Sequence, residues 1–225
     1  MSWSFRSVYD GHVGPQAAWH LEKHLLPNLV NSLYELYSKG GQPQKEAVHS
    51  VIKDVFVSLD DDMVNKSAQL IVEQSEGTPI KALAAKVLQT ARSGSCVLVA
   101  FYDHNVRTLH VPVVGDSRAV LGRRRQTKDK DGKTIYDVHV LSVDQNGDNP
   151  DEVARLSAEH PDEKLFNGTR LLDWGPARTF GNGVMKWSKE LQAFMQEKCL
   201  GDKPYSTLLT PPYFTAMPET MTTKN

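Results

Sequence analysis

Three stretches of the chain repeat apolar residues every three to four positions, the spacing of a helix that buries one face. The first opens at Pro15 and stops at the glycine pair 40–41, because proline suits a first helical turn and glycine an end. Its apolar face consists of Ala18, Leu21, Leu25, Leu29, Leu33 and Leu36. The other two begin near Lys45 and Ile80 and are separated by the turn-forming segment 75–79. The pattern therefore predicts three helices.

Strand patterns flank these helices. A short strand is predicted at 5–9, and it breaks at 10–14 (DGHVG) before the first helix. After the helices, β-branched and aromatic residues predict four more strands, at 96–102, 106–114, 118–122 and 135–141. Four strands in a row predict antiparallel hairpins. The segment 123–133 alternates basic and acidic residues, which predicts a solvated hairpin loop rather than a nucleic-acid patch.

The second half of the chain adds one helix and then loses regular patterning. Asn149, Pro150 and Glu152 offer a capping side chain, a first-turn proline and a carboxylate able to reach back, and the helix should end before His160. The glycine-dense residues 168–183 predict a loop near a functional edge. The proline-rich residues from 210 onward predict an extended end without a closing element. Helices combined with antiparallel strands predict a layered α+β domain.

Composition and charge indicate one domain over residues 1–225. The chain is 40% hydrophobic and carries 26 basic against 27 acidic side chains, so it can bury a core but does not attract nucleic acid or an anionic membrane by charge. We expect no membrane span, because no apolar run approaches the roughly 18 residues required. Cys96 and Cys199 stand far apart, which predicts free thiols. The residues do not indicate an oligomeric state.

Two acidic residues lie at the ends of predicted strands. Asp10, Gly11 and His12 occupy a strand-to-helix junction, where a carboxylate, a backbone carbonyl and an imidazole can face one cavity. Asp116 follows Gly115 between two predicted strands. Carboxylate and carbonyl oxygens suit hard cations such as Mg²⁺ or Mn²⁺. Each segment alone also has the chemistry of an ordinary turn, so both interpretations stay open on spacing.

Three other groups could bind a metal but are better explained as surface features. His20 and His24 are one helical turn apart without a zinc-protease pattern, which favours a solvent-facing pair. The segment 144–148 hints at a calcium loop but lacks the glycine turn and the last carboxylate. The acidic triplet 60–62 ends an apolar helix and predicts a solvated helix end.

Several short segments carry a recognisable set of motifs in a fixed order. They are 8–14 (VYDGHVG), 93–96 (SGSC), 113–120 (VVGDSRAV) and 177–182 (ARTFGN). Together they resemble the successive motifs of PPM-type (type 2C) metal-dependent serine/threonine protein phosphatases. Further details resemble the subgroup of mitochondrial pyruvate dehydrogenase phosphatases, and these are 159–161 (EHP), 170–172 (RLL), 186–187 (KW) and 210–213 (TPPY). The subgroup resemblance suggests a mitochondrial location.

The resemblance implies two antiparallel sheets packed as a sandwich, flanked by helices, with two Mg²⁺ or Mn²⁺ ions at one end. Asp10 matches the aspartate that bridges both ions, and Gly11 matches the residue that offers its carbonyl to one of them. His12 matches the histidine that protonates the departing serine or threonine oxygen. Asp116 matches a carboxylate of a third, weaker metal position. The implied substrate is a phosphoprotein, hydrolysed by a metal-activated water.

The chain also departs from the family pattern. The family's upstream phosphate-binding arginine and acidic ligand have no counterpart before Phe5, and its downstream carboxylate elements do not appear before Asn225, so we expect a chain truncated at both ends. Four positions carry residues other than the family's usual ones: Val13, Cys96, Thr179 and Asn182. A catalytically inactive phosphatase-like binding or regulatory protein, and an unrelated α+β binding domain, therefore stay open as alternatives.

Overall fold

The computed structural model describes residues 1–74, 79–128, 130–200 and 205–224, so most of the predicted break at 75–79 lies outside the described residues. The three predicted helical regions are confirmed, the third as two short helices. The helices are α1 (Gln16–Ser38), α2 (Lys45–Asp61), α3 (Ser67–Glu73), α4 (Ile80–Val87), α5 (Gln89–Arg92), α6 (Pro150–Glu159) and α7 (Lys189–Phe194). A π-helical turn, Asp62–Lys66, joins α2 to α3, and another, Met195–Leu200, follows α7.

The strands form antiparallel sheets throughout the described part of the chain. In chain order they are β1 (Trp3–His12), β2 (Gly94–Asp103), β3 (Thr108–Val114), β4 (Val120–Lys128), β5 (Thr134–Val140), β6 (Phe166–Asn167), β7 (Arg170–Leu171), β8 (Phe180–Gly181) and β9 (Glu219–Lys224). The main sheet has the order β1-β2-β3-β9, and β8 also pairs with β2. The hairpins β4–β5 and β6–β7 stand apart from it. This arrangement confirms the α+β class with antiparallel sheets.

The main sheet separates two apolar layers, because side chains alternate between its faces. On one face, Phe101 of β2 packs in a buried cluster with α1 and α2, including Phe56. On the other face, Leu98 and Val113 pack against Leu121 of the β4–β5 hairpin. Full burial of a side chain such as Phe101 stabilises the fold by about 1.5–3 kcal/mol. The sheet is thus fixed from both sides, which holds the end of β1 in place.

Two predictions about the central strands are wrong. β3 and β4 do not form a hairpin, because they belong to different sheets and residues 115–119 cross between them. The segment 123–133 is not mainly a loop, since β4 continues to Lys128 and β5 begins at Thr134. A Gly-Asp-Ser sequence has turn chemistry that fits a crossover as well as a hairpin. The local pattern therefore could not tell the two connections apart.

The C-terminal segment closes the sheet, contrary to the prediction. β9 pairs antiparallel with β3 from Thr108 to Val113, so the proline-rich region ends in a strand. Pro112 consequently lies in a strand with a neighbour on each side rather than at an edge. The paired register with β2 is interrupted at Val111 and Pro112, where proline has no N–H to donate.

The helix start at Asn149 is confirmed, with one correction. The Asn149 side chain accepts a hydrogen bond of 3.0 Å from the Asp151 backbone N–H. Glu152 does not reach back to the cap. It is fully buried and paired with Arg178 and with Arg155, the latter at 2.8 Å. Among the described helices, none has the length and hydropathy that a membrane span needs.

Candidate active site

The two predicted carboxylates lie in one cavity, although 106 positions separate Asp10 from Asp116 in the chain. β1 does not break at Asp10 as predicted. It continues to His12, in register with β2, so that Asp10 lies opposite Cys96. Asp116 belongs to the crossover after β3, and its Oδ1 accepts a hydrogen bond of 3.4 Å from the Cys96 thiol. The cavity is about 320 Å³ and also contacts His12.

A buried glutamine that sequence analysis missed fixes the position of Asp116. The side-chain oxygen of Gln145 accepts a hydrogen bond of 2.7 Å from the Gly115 N–H, and its backbone N–H donates to the Gly115 carbonyl at 3.0 Å. Gly115 has φ +105°, and a Cβ there would lie 2.3 Å from the Cys96 sulfur. Only glycine therefore lets the crossover pass this close to β2.

Neither carboxylate is neutralised by a neighbouring cation. Among the described residues, no lysine, arginine or histidine forms an ion pair with Asp10 or Asp116. The Asp10 side chain is exposed and Asp116 is half-buried. Burial raises the pKa of Cys96 to about 12, so its thiol stays protonated and does not add negative charge. The cavity therefore presents two carboxylates that form no ion pair with the part of the chain that the structure describes.

The chemistry of this donor set fits a hard divalent cation. Two carboxylates and the backbone carbonyl of Gly11 offer oxygen only, and Mg²⁺ retains several waters when few protein ligands are present. A Cβ on Gly11 would lie 3.1 Å from the Ala18 Cβ, so the glycine lets the end of β1 approach α1. Within the described ranges, no cluster of three or more acidic, histidine or cysteine side chains is arranged as a metal site.

His12 is half-buried at the edge of the same cavity. Its Nε2 lies 2.6 Å from the Nδ2 of Asn182 and 3.5 Å from the Thr179 hydroxyl. Burial lowers the pKa of His12, and a hydrogen bond to the Asp10 backbone together with the charges of Asp10 and Asp116 opposes that shift. His12 therefore shares the site with both carboxylates and is anchored by residues from the far end of the chain.

The glycine-dense region was predicted to lie near a functional edge, and part of it does line the cavity. Asp173, Trp174 and Gly175 contribute to its wall. Arg170 lines it too, and among the described residues it is the only lysine or arginine that does. Sequence analysis missed this role, because the segment 170–172 was noted only as a subgroup detail. Arg170 donates a hydrogen bond of 2.8 Å to the Asp173 carbonyl.

The turn after His12 contains a backbone outlier. Val13 has φ +59°, and a β-branched residue is rarely found in this left-handed region. Its side chain is 66% exposed and lies on the rim of the cavity. The strain of such a residue is of the order of 1–3 kcal/mol. In the sequence, Val13 was marked only as a departure from the family's usual residue at this position.

The other proposed metal groups have different environments. Asp60 of the acidic triplet was predicted to be solvated, and this is wrong. It is 8% exposed and pairs with Lys186 at 2.6 Å. His24 is exposed as predicted, whereas His20 is half-buried beside it. Asp144 forms a bidentate pair with Arg118, with distances of 2.7 and 3.0 Å.

Comparison with known proteins gives an independent view of these residues. The family described as protein phosphatase 2C matches residues 1–225. A protein phosphatase 2C homolog of Schizosaccharomyces pombe is 34% identical over 223 residues, which cover 97% of this chain and 48% of that protein. The mitochondrial pyruvate dehydrogenase (acetyl-transferring) phosphatase 1 of Saccharomyces cerevisiae is 34% identical, over 95% of this chain and 37% of that protein. The chain spans less than half the length of these relatives.

Solved structures share the fold at low sequence identity. A serine-threonine phosphatase 2C from Toxoplasma gondii superposes with a TM-score of 0.56 at 15% identity, covering 99% of this chain and 64% of that one. A C. elegans sex determining protein gives a TM-score of 0.55 at 16% identity, covering 99% of this chain and 40% of that one. Because the family match extends over residues 1–225 and both curated relatives exceed 30% identity, the chain belongs to the protein phosphatase 2C family.

Proposed function

We propose that this chain carries the catalytic face of a protein serine/threonine phosphatase that hydrolyses phosphoserine and phosphothreonine with Mg²⁺ or Mn²⁺. The observation that supports this most directly is the shared cavity of Asp10, His12 and Asp116, in a chain of a metal-dependent phosphatase family. Uncompensated acidic oxygens attract divalent cations, and such cations offset the charge of a phosphate group. A phosphoprotein is the corresponding substrate.

The proposed metal ligands are the Asp10 carboxylate, the Gly11 carbonyl and the Asp116 carboxylate. Two bound cations would supply an activated water and compensate the phosphate charge. The protein contributes the position of these oxygens. The β1–β2 register fixes Asp10, and Gln145 fixes the crossover that carries Asp116.

Two further residues have proposed roles toward the substrate. His12 would donate a proton to the departing serine or threonine oxygen, which is a poor leaving group without one. Arg170 would bind the phosphate, because a guanidinium matches phosphate geometry with two parallel hydrogen bonds. Its only hydrogen bond among the described residues goes to a backbone carbonyl, so the guanidinium has N–H groups to spare.

The test compares two substrates that differ in their leaving group. Asp10→Asn should abolish Mn²⁺-dependent hydrolysis of both a phosphoserine peptide and p-nitrophenyl phosphate. His12→Gln should impair the phosphopeptide far more, since p-nitrophenolate leaves without protonation. Asp54→Asn, which changes an exposed aspartate of α2, is the matched control. Full activity of Asp10→Asn, or Mn²⁺-independent hydrolysis, would refute the proposal.

We also infer a mitochondrial location, by analogy with the mitochondrial phosphatases among the relatives. This inference is independent of the chemistry of the site. A fluorescent fusion of the natural protein should co-localise with a mitochondrial marker, and import should protect it from protease added to isolated mitochondria. Diffuse fluorescence in the cytosol would contradict the inference.

A further inference from the structure

The side chain of Asn182 holds the imidazole of His12 from the protein interior. Its Nδ2 lies 2.6 Å from His12 Nε2, and Asn182 is 1% exposed. The two groups meet over Gly94, where a Cβ would lie 2.2 Å from the Asn182 amide and 2.3 Å from His12 Nε2. Gly94 thus leaves the space in which the contact forms. No other residue type at position 94 would allow the imidazole and the amide to approach this closely.

Asn182 is itself held in an uncommon backbone conformation. Its φ is +49°, in the left-handed region that asparagine tolerates better than most residues. Its backbone N–H donates a hydrogen bond of 2.9 Å to the Ser93 carbonyl. The hydroxyl of Ser93 in turn accepts from the Ala17 N–H at 2.9 Å. The loop that carries Asn182 is therefore tied through Ser93 to α1, the helix that follows His12.

A buried ion pair also holds this loop in place. Asp60 accepts a hydrogen bond of 2.8 Å from the Gly181 N–H and pairs with Lys186 at 2.6 Å. Lys186 Nζ also donates to the Thr179 carbonyl at 2.8 Å. The lysine side chain is only 8% exposed. The pair thus spans the residues on both sides of Phe180 and limits how far Asn182 can shift.

We propose that Asn182 is a positioning residue for His12, held in place by the buried Asp60–Lys186 pair. By donating to Nε2 from the interior, the amide favours the neutral tautomer of His12 that carries its proton on Nδ1. What His12 then does to a substrate rests on the proposed function, whereas the hydrogen bond itself does not.

An amide suits this position because its two ends are a donor and an acceptor. In the structure the Nδ2 end faces His12, and the buried Oδ1 has no hydrogen-bond partner among the described residues. Rotation of the amide would bring Oδ1 to Nε2 and reverse the direction of the hydrogen bond. The tautomer of His12 therefore reports which end of the amide faces the ring.

The test reads the tautomer of His12 directly. The chain labelled with ¹⁵N-histidine is examined by long-range ¹H–¹⁵N NMR at a pH where the imidazoles are neutral. We expect His12 in the Nδ1–H form in the wild type, and a mixed tautomer in Asn182→Gly. Glycine keeps the left-handed backbone without strain. The buried His110 reports that each variant is folded. An Nε2–H tautomer in the wild type, or identical His12 signals in both proteins, would overturn the proposal.

Kinetics provide a second readout. Asn182→Gly should lower kcat for a phosphoserine peptide by at least about tenfold with KM nearly unchanged, and should spare p-nitrophenyl phosphate, as His12→Gln does. The matched control is Arg107→Gly, which also replaces a left-handed residue (φ +55°) but lies at the β2–β3 turn. Equal losses on both substrates would overturn the positioning role. An inactive wild type would count against the proposed function alone, because the NMR measurement still decides the contact.

Discussion

Asp60 and Asp116 show how differently one fold can treat two carboxylates. Asp60 lies near the end of α2, and Asp116 lies just after β3. Asp60 is buried, paired with Lys186 and hydrogen-bonded to a backbone N–H. Asp116 is half-buried and, within the described residues, has only a thiol donor. The first arrangement satisfies its charge within the protein, and the second leaves its charge for a ligand.

The same contrast extends to the surroundings of each carboxylate. Asp60 pairs with Lys186, and both side chains hydrogen-bond to the backbone on either side of Phe180. Asp116 shares its cavity with the strained Val13 and with Asp10, an exposed carboxylate that forms no ion pair with a described residue. Local rules are broken where function requires it and obeyed where stability requires it. The difference between the two regions can be tested by four measurements, ordered by expected effect.

The largest effect should come from breaking the buried pair. Lys186→Met leaves the Asp60 carboxylate buried without a cation, which should lower the free energy of unfolding by about 3–5 kcal/mol in urea titrations. Replacing both partners, with Asp60→Leu and Lys186→Met, should recover much of this loss. Lys66→Met, which removes the exposed pair with Asp62, should leave the midpoint unchanged. A small effect of Lys186→Met would show that the pair is not a structural anchor.

The second prediction concerns the pH dependence of stability that arises from His110, which lies in β3 opposite Thr222 of β9. Burial, and the nearby charge of His49, lower the pKa of His110 to about 4, with Asp103 opposing and Lys45 adding to the shift. The unfolded chain therefore binds a proton that the folded chain excludes. Stability should be complete above about pH 6.5 and should fall by at most about 3 kcal/mol as pH drops toward 4. The difference between wild type and His110→Gln across this range isolates the effect, and parallel pH curves would contradict it.

The third measurement addresses the open carboxylates. Mn²⁺ at about 100 times its dissociation constant should stabilise the folded chain by about 2.7 kcal/mol, because the ion binds the native state. Asp10→Asn and Asp116→Asn should each reduce that stabilisation, measured as the shift in thermal midpoint on adding Mn²⁺. Asp54→Asn should behave as wild type. A metal-induced shift that persists in both cavity variants would place the cation elsewhere.

The smallest effect should come from relieving strain at the cavity rim. Val13→Gly removes a β-branched side chain from the left-handed region, and should raise the free energy of unfolding by about 1 kcal/mol. Val57→Gly, at an exposed position within α2, should destabilise instead, because glycine weakens a helix interior. A destabilised Val13→Gly would mean that the valine contributes packing that outweighs its strain.

Periodic and capping signals were sufficient to predict the helices. The stripe of α1, the start of α2 and the Asn149 cap are local features, and each depends on residues within a few positions of one another. β2 was also predicted well, since its run of β-branched residues is buried on both faces. The order of the family motifs identified Asp10 and Asp116 as candidate ligands. Local spacing alone could not distinguish a metal site from an ordinary turn at either position.

Features that depend on distant partners were not predictable. Asp60 resembles a solvated helix end until Lys186, 126 positions later, is brought beside it. Asn182 lies in a glycine-rich loop, and nothing near it in sequence indicates contact with His12. β9 was missed because proline upstream suggested an irregular end, whereas the main sheet supplied an edge for it. In each case tertiary contacts decided the outcome.

The pairing of β9 with β3 has a consequence for biosynthesis. Roughly 100 residues separate the two strands, and a ribosome that adds roughly 5–20 residues per second needs several seconds to make them. Throughout that time the hydrogen-bonding edge of β3 is uncovered on the nascent polypeptide. Chaperone capture during translation should therefore concentrate on chains that have emerged past β3 but not yet past β9.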